Sequence, residues 1–237
     1  MKQHSSKNLS DFCALPDQEI DLALGALLIA KDHYPDLEVS TYLSKIDEMG
    51  ERARLRVGNV VGGRQIIEGM NHYFFVEEGF RGNGEDYYNP VNSFLNDVID
   101  HRMGIPITLA LLYIEIGKRA GLPLHGVSFP GHFLVKYLHE DLKRGTEEVI
   151  IDPFHKGNCL SREECASLLK QTFGGRVRFD ESLFRSATKR EILTRLLINL
   201  QAIYGKRNDR GKELRIMNQI LLLNPEFYQT RDSSLLH

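Results

Sequence analysis

Cysteine is scarce in this 237-residue chain: there are three, Cys13, Cys159 and Cys165, and none share a C-x-x-C spacing. So sparse and odd a set does not build a disulfide framework, which points to a reducing compartment. Long apolar runs are missing as well. The two longest, 22–30 and 105–116, fall short of the roughly 20 residues a membrane-spanning helix needs. The polar start, residues 1–10, has no apolar core of a secretion signal. The expectation is a cytoplasmic protein without membrane contact. Charge of one sign is also absent, since 30 basic and 32 acidic residues leave a formal net charge of −2. No basic stripe is available to neutralise phosphates, which argues against nucleic acid as a direct ligand.

What remains is an ordinary globular composition, 42% hydrophobic and 26% charged, long enough for one large domain or one domain with an appendage. Apolar residues at helical spacing predict helices over 17–31, 39–56 and 64–76. The mixed charges of 51–56 read as a solvated face. Glycines and acidic groups over 78–89 read as a loop, and Asn89-Pro90 as an N-cap with proline at the first helical position. That helix is expected to run to about Gly104. Residues 105–120 are apolar nearly all round, so this is the expected central, buried helix, stopped at Gly121.

Beyond Gly121 the period becomes two, which predicts short antiparallel strands over 124–129, 133–137 and 149–151. Pro130-Gly131 makes the first turn and 141–146 a longer second one. Helices then return: 162–173 behind a Ser161/Glu164 capping box, and a hairpin of 188–205 and 211–224. Leu197, Leu200, Tyr204 and Pro225 fit part of a tetratricopeptide pattern, while Gln201 and Glu213 depart from it. One such unit needs the rest of the chain to lean on. The expected fold is α+β, with domains at 1–180 and 181–237.

The chemistry-bearing stretch joins this central helix to Phe129-Pro-Gly-His132 and Ile151-Asp152-Pro153. Helix, histidine and aspartate in that order match a thiol site, in which a cysteine starts the helix, histidine is the base and a third group orients it. The end of the helix, Gly121-Leu-Pro123, resembles the Gly-Ile-Pro that follows the central helix of the transglutaminase-like fold. Counted back from there, the nucleophile position falls on Pro106. Slipping by one or two residues gives Gly104, Ile105, Ile107 or Thr108, none a thiol.

Asn89-Pro-Val-Asn92-Ser93, Arg102-x-Gly-Ile-Pro106, Gly126-Val-x-Phe-Pro-Gly-His132-Phe-Leu and Ile151-Asp152-Pro-Phe resemble the SirB-type bacterial proteins over nearly the whole chain. That resemblance implies a transglutaminase-like domain with a tetratricopeptide-like tail, and here the loss of thiol chemistry. Arg231-Asp-Ser-Ser-Leu-Leu236 resembles the family's Arg-Asp-Arg-Gly-Leu-Leu, after which further helices are expected.

The leading expectation is therefore a degenerate transglutaminase-like module that binds a protein partner or regulates one, without a cofactor. His132 and Asp152 are read as a residual pair, catalytic or simply hydrogen-bonded. Asn92, Ser93, Arg102 and Pro106 are read as lining the same cleft, with loop anchoring as the competing role. The alternative function is a hydrolase or amide-transfer enzyme using His132 as base on water. A scaffold working through the helical tail alone is a third reading. No metal site is expected: His155 follows Asp152, but His125, His132 and His139 are seven apart, a spacing that reverses the face of a strand. Cys159 and Cys165 read as buried small hydrophobes, and Gly62-Gly63 as a turn.

Overall fold

The computed structural model describes residues 8–58, 62–141 and 145–227; the Arg231–Leu236 motif lies outside them. The order is helical, then a sheet, then helical again, as an α+β chain requires. Helices α1 (Leu9–Cys13), α2 (Leu22–His33), α3 (Val39–Val57) and α4 (Gly63–Asn71) form the first part. The helix expected over 17–31 opens instead as a 3-10 turn, Asp17–Glu19, because Asp21 restarts the chain by capping Leu24 N–H at 2.9 Å. The one expected over 64–76 ends as a π-helical turn, His72–Glu77.

The loop over 78–89 carries a two-residue strand, β1 (Arg81–Gly82), paired parallel with β2 (Met103–Gly104). The helix expected to start at Asn89 is split. Asn89 caps a 3-10 turn, Pro90–Ser93, and helix α5 (Leu95–His101) starts afresh after Phe94, whose backbone is extended. The break lets the buried Phe94 ring stack on His33, with centroids 4.6 Å apart.

The centre is α6 (Pro106–Arg119), buried along its whole run from Pro106 to Gly117, and Gly121 ends it with a φ of +84°. Strands β3 (Leu124–Val127), β4 (Leu134–Asp141), β5 (Gly145–Asp152) and β6 (Asn158–Leu160) pair in chain order, all antiparallel. Their alternation gives the sheet two apolar faces. Val135, Tyr137 and Ile151 join the core around α6, whereas Leu134 and Ile150 face a smaller core with Phe129, Cys165 and Leu169. The latter is covered by α7 (Arg162–Phe173), capped by Ser161 and Glu164 as the sequence predicts.

Helices α8 (Lys189–Lys206) and α9 (Arg210–Leu223) form the expected hairpin. Leu193, Leu196, Leu197 and Leu200 enter the core that surrounds α6, each burial contributing roughly 1.5–3 kcal/mol. Arg190 ties the two ends of the fold together, donating to the carbonyls of Cys13, Leu15 and Leu223. No helix of the described residues is long and apolar enough to cross a membrane.

Candidate functional site

The β4–β5 register places Val135 opposite Ile151, so the turn entering β4 lies beside the end of β5. His132 stands on that turn, its N–H donating to the Phe129 carbonyl at 3.0 Å. Gly131 makes the turn with a φ of +72°. A Cβ there would come within 2.7 Å of Thr172 Cγ2, so the turn is pressed against the end of α7.

Asp152 closes β5 and caps the 3-10 turn Pro153–His155. Its Oδ1 accepts from the N–H groups of Phe154 (3.0 Å) and His155 (3.3 Å). With one oxygen so held, Oδ2 points at two imidazoles: His132 Nε2 at 2.8 Å and His155 Nδ1 at 2.7 Å. Residues three apart eclipse on a 3-10 turn, which is why His155 returns to the side chain of Asp152. The turn closes behind them through Lys156, in the left-handed region, and a Gly157 N–H bond to the Asp152 carbonyl at 2.8 Å.

Asp152 and His132 side chains are 4% and 9% exposed, and that of His155 is 55% exposed, so the cluster opens to solvent on one side. Burial pushes the Asp152 carboxyl up, but hydrogen bonds from His132 and then His155 outweigh it and hold the group below the usual aspartate value. The carboxylate is thus ionised, and the three donor atoms lie within 4.8 Å of one another. Phe154 walls the cluster, edge-on to His132 and His155, and its other side fills the space against Gly82.

The structure brings His132 and Asp152 together and brings no thiol to them. Cys159 is half-buried and packs against the core that surrounds α6. Cys165 is on the buried face of α7 itself, and burial pushes its thiol up to about 11. Among the described residues no cysteine hydrogen-bonds His132. Pro106 occupies the first position of α6 and is buried.

The remaining expected cleft residues anchor their own loops. Asn92 donates to the Asp86 carbonyl at 2.7 Å and accepts from Asn83 at 3.1 Å, while its own carbonyl takes the Thr108 hydroxyl at 2.8 Å. Ser93 is buried, its hydroxyl without a hydrogen-bond partner. Arg102 has a φ of +58° and donates to the Ile99 carbonyl and to Glu78, over the ring of Phe80. It lines a cavity of about 290 Å³ with Lys45, Glu48, Arg52 and Asp100, a set that does not include His132 or Asp152.

His155, which follows Asp152 in the sequence and is set aside there with the other histidines as a metal ligand, is the residue the structure adds to the pair. The strand argument against clustered histidines separates His125, partly buried beside Lys136, from His139, stacked on Tyr137. It does not apply to His155, which sits on a turn. The readable signal was the Asp-Pro-x-His spacing.

A sequence profile of the transglutaminase-like superfamily matches residues 40–198. A UPF0162 protein of Xylella fastidiosa is 36% identical over 219 residues, covering 91% of this chain and 76% of that protein. A Pseudomonas aeruginosa UPF0162 protein is 26% identical over 200 residues, 84% of this chain and 71% of that one. Human F-box only protein 21 is 31% identical over 176 residues, 73% of this chain but 27% of the human protein. No solved structure matches.

Proposed function

The chain belongs to the transglutaminase-like superfamily and to the UPF0162 family, and on that premise we propose that it is a degenerate member that binds or regulates a protein partner. The observation that carries this reading is the helix start: α6 opens on buried Pro106, and among the described residues no cysteine hydrogen-bonds His132. Without a thiolate the acyl-enzyme route has no nucleophile. His132 and Asp152 are then a retained pair at the rim of a binding surface, and Asn92, Ser93, Arg102 and Pro106 shape the loop and helix start of the same domain.

Two further observations support a module. A segment 31% identical to it makes up 27% of a larger human protein, and helix α9 carries two exposed leucines, Leu214 and Leu222. A water-based hydrolase gains no support. It needs donors for an oxyanion, and the backbone N–H groups of Phe154 and His155 are already used by Asp152.

Glutaminyl-amine transfer and amide hydrolysis should show no rate that depends on His132, measured against His132→Ala. A histidine-dependent rate would overturn the reading. Affinity capture should lose specific partners on changing His132 to Ala. Partners lost only on changing Leu214 and Leu222 to Ser would transfer the function to the helical tail.

A further inference from the structure

We propose that His132, Asp152 and His155 form a binding site for a divalent first-row transition ion of the zinc type, with three protein donors and a fourth position open to solvent. The inference is independent of the partner-binding reading, because it rests on donor chemistry and geometry alone.

The donor set comes first. Two imidazoles and one carboxylate are the ligand types that zinc takes at sites with an open fourth position. Donors on one tetrahedral ion with bonds near 2.0–2.1 Å sit about 3.3 Å apart. The three atoms here, His132 Nε2, Asp152 Oδ2 and His155 Nδ1, have two separations of 2.8 and 2.7 Å and all lie within 4.8 Å of one another. That span brackets the tetrahedral edge, so small side-chain rotations seat an ion.

Pre-organisation comes second. The carboxylate is oriented by two backbone N–H bonds to Oδ1, which leaves Oδ2 as the free ligand atom, the outer-shell support typical of metal sites. His132 is fixed by the Gly131 turn against α7. Two ligands share one short 3-10 turn and the third comes from the neighbouring strand entry, so an ion here would clip the β4 and β5 ends together.

Polarity comes third. Asp152 is 4% exposed, so this is a nearly dry carboxylate rather than a solvated acidic patch, and His155 at 55% exposure leaves an entry path. In the ion-free state both imidazoles present an N–H to the same oxygen. An ion here takes the lone pairs of His132 Nε2 and His155 Nδ1, with each ring's N–H carried on its other nitrogen.

The test uses the full chain, stripped with a chelator and titrated with Zn²⁺ by calorimetry and with Co²⁺ by visible absorption. One ion per chain is expected, with the intense cobalt spectrum of a tetrahedral site. His155→Ala, whose side chain is exposed and whose loss leaves the core intact, should weaken binding at least tenfold, as should Asp152→Asn. His125→Ala and His139→Ala should leave it unchanged. The absence of stoichiometric binding, or binding indifferent to His155→Ala, would overturn the site. Either result stands whatever partner-capture experiments show.

Discussion

Cys159 sits directly opposite Ile151 in the β5–β6 ladder, one position out of step with Asp152. Side chains alternate along a strand, so the thiol and the carboxylate leave the sheet on opposite faces. Cys159 goes toward Tyr113, which is hydrogen-bonded to Asn71 in the α6 core, while Asp152 turns to His132. A shift of one residue would bring the sulfur to the other side, and the ladder does not allow it.

Thiol reactivity follows from this. Burial raises all three cysteines, Cys165 to about 11, and the thiolate is the reactive form. Native protein at pH 7.5 should therefore alkylate slowly with iodoacetamide, and all three thiols should react quickly once unfolded. A single cysteine labelled faster than a free thiol, and slowed by His132→Ala, would reinstate a thiol site.

The α8 cap gives a stability prediction with a pH signature. Thr188 and Glu191 cap each other's backbone N–H groups, at 3.1 and 2.8 Å, and Arg185 holds both Glu191 oxygens. Thr188→Ala should cost about 1 kcal/mol in chemical denaturation. The Arg185 hydrogen bonds hold the Glu191 carboxyl below its usual 4.5, against an opposing effect of burial. Its contribution is full above that usual value and is lost as pH falls through the lower folded one. The stability difference between wild type and Glu191→Gln should therefore shrink on acidification below about pH 4.5.

Sequence periodicity exposed some of this structure and hid the rest, for identifiable reasons. Helix α6 was legible because it is apolar all round, and α7 because its Ser161/Glu164 cap is written in local residues. The His132–Asp152 pair was legible because strand order fixes it. Strand β6 was not: it is three residues long and follows Lys156 and Gly157, both at positive φ. The break at Phe94 was hidden because its cause is tertiary, a stack on His33 from a distant helix. The return of His155 to the Asp152 carboxylate was hidden because a 3-10 turn, not a strand or α-helix, sets its direction.

The buried acid on α6 yields a third prediction. Glu115 is 1% exposed and paired with Arg119 at 2.6 Å. Burial, with Asp21, raises its carboxyl above the usual value despite Lys118 and Arg119. The folded state then holds this proton more tightly than the unfolded state, so the group lowers stability as pH rises through 4.5 and above. Removing the cation alone by Arg119→Met should cost roughly 3 kcal/mol, because a buried charge loses its partner. The double variant Glu115→Leu/Arg119→Met should recover most of that loss, a non-additivity that a double-mutant cycle reads directly. Additive losses would show that the pair does not act as a unit.

The turn under His132 provides the last test, and it separates backbone strain from crowding. Gly131→Ala places a side chain at a φ of +72° and brings its Cβ within 2.7 Å of Thr172 Cγ2. The left-handed backbone alone costs an L-residue roughly 1–2 kcal/mol. The contact adds to it, because Thr172 is on α7 and its hydroxyl is held by the Leu168 carbonyl at 2.9 Å. Thr172→Ser deletes the crowding methyl and keeps that hydroxyl. If both effects operate, Gly131→Ala/Thr172→Ser should regain the crowding share and retain a loss of about 1 kcal/mol from the backbone. The ring resonances of His132 should shift in Gly131→Ala and return toward their original positions in the double variant. Full recovery of stability would mean the turn can adopt another conformation, and the positioning of His132 by Gly131 would then be disproved.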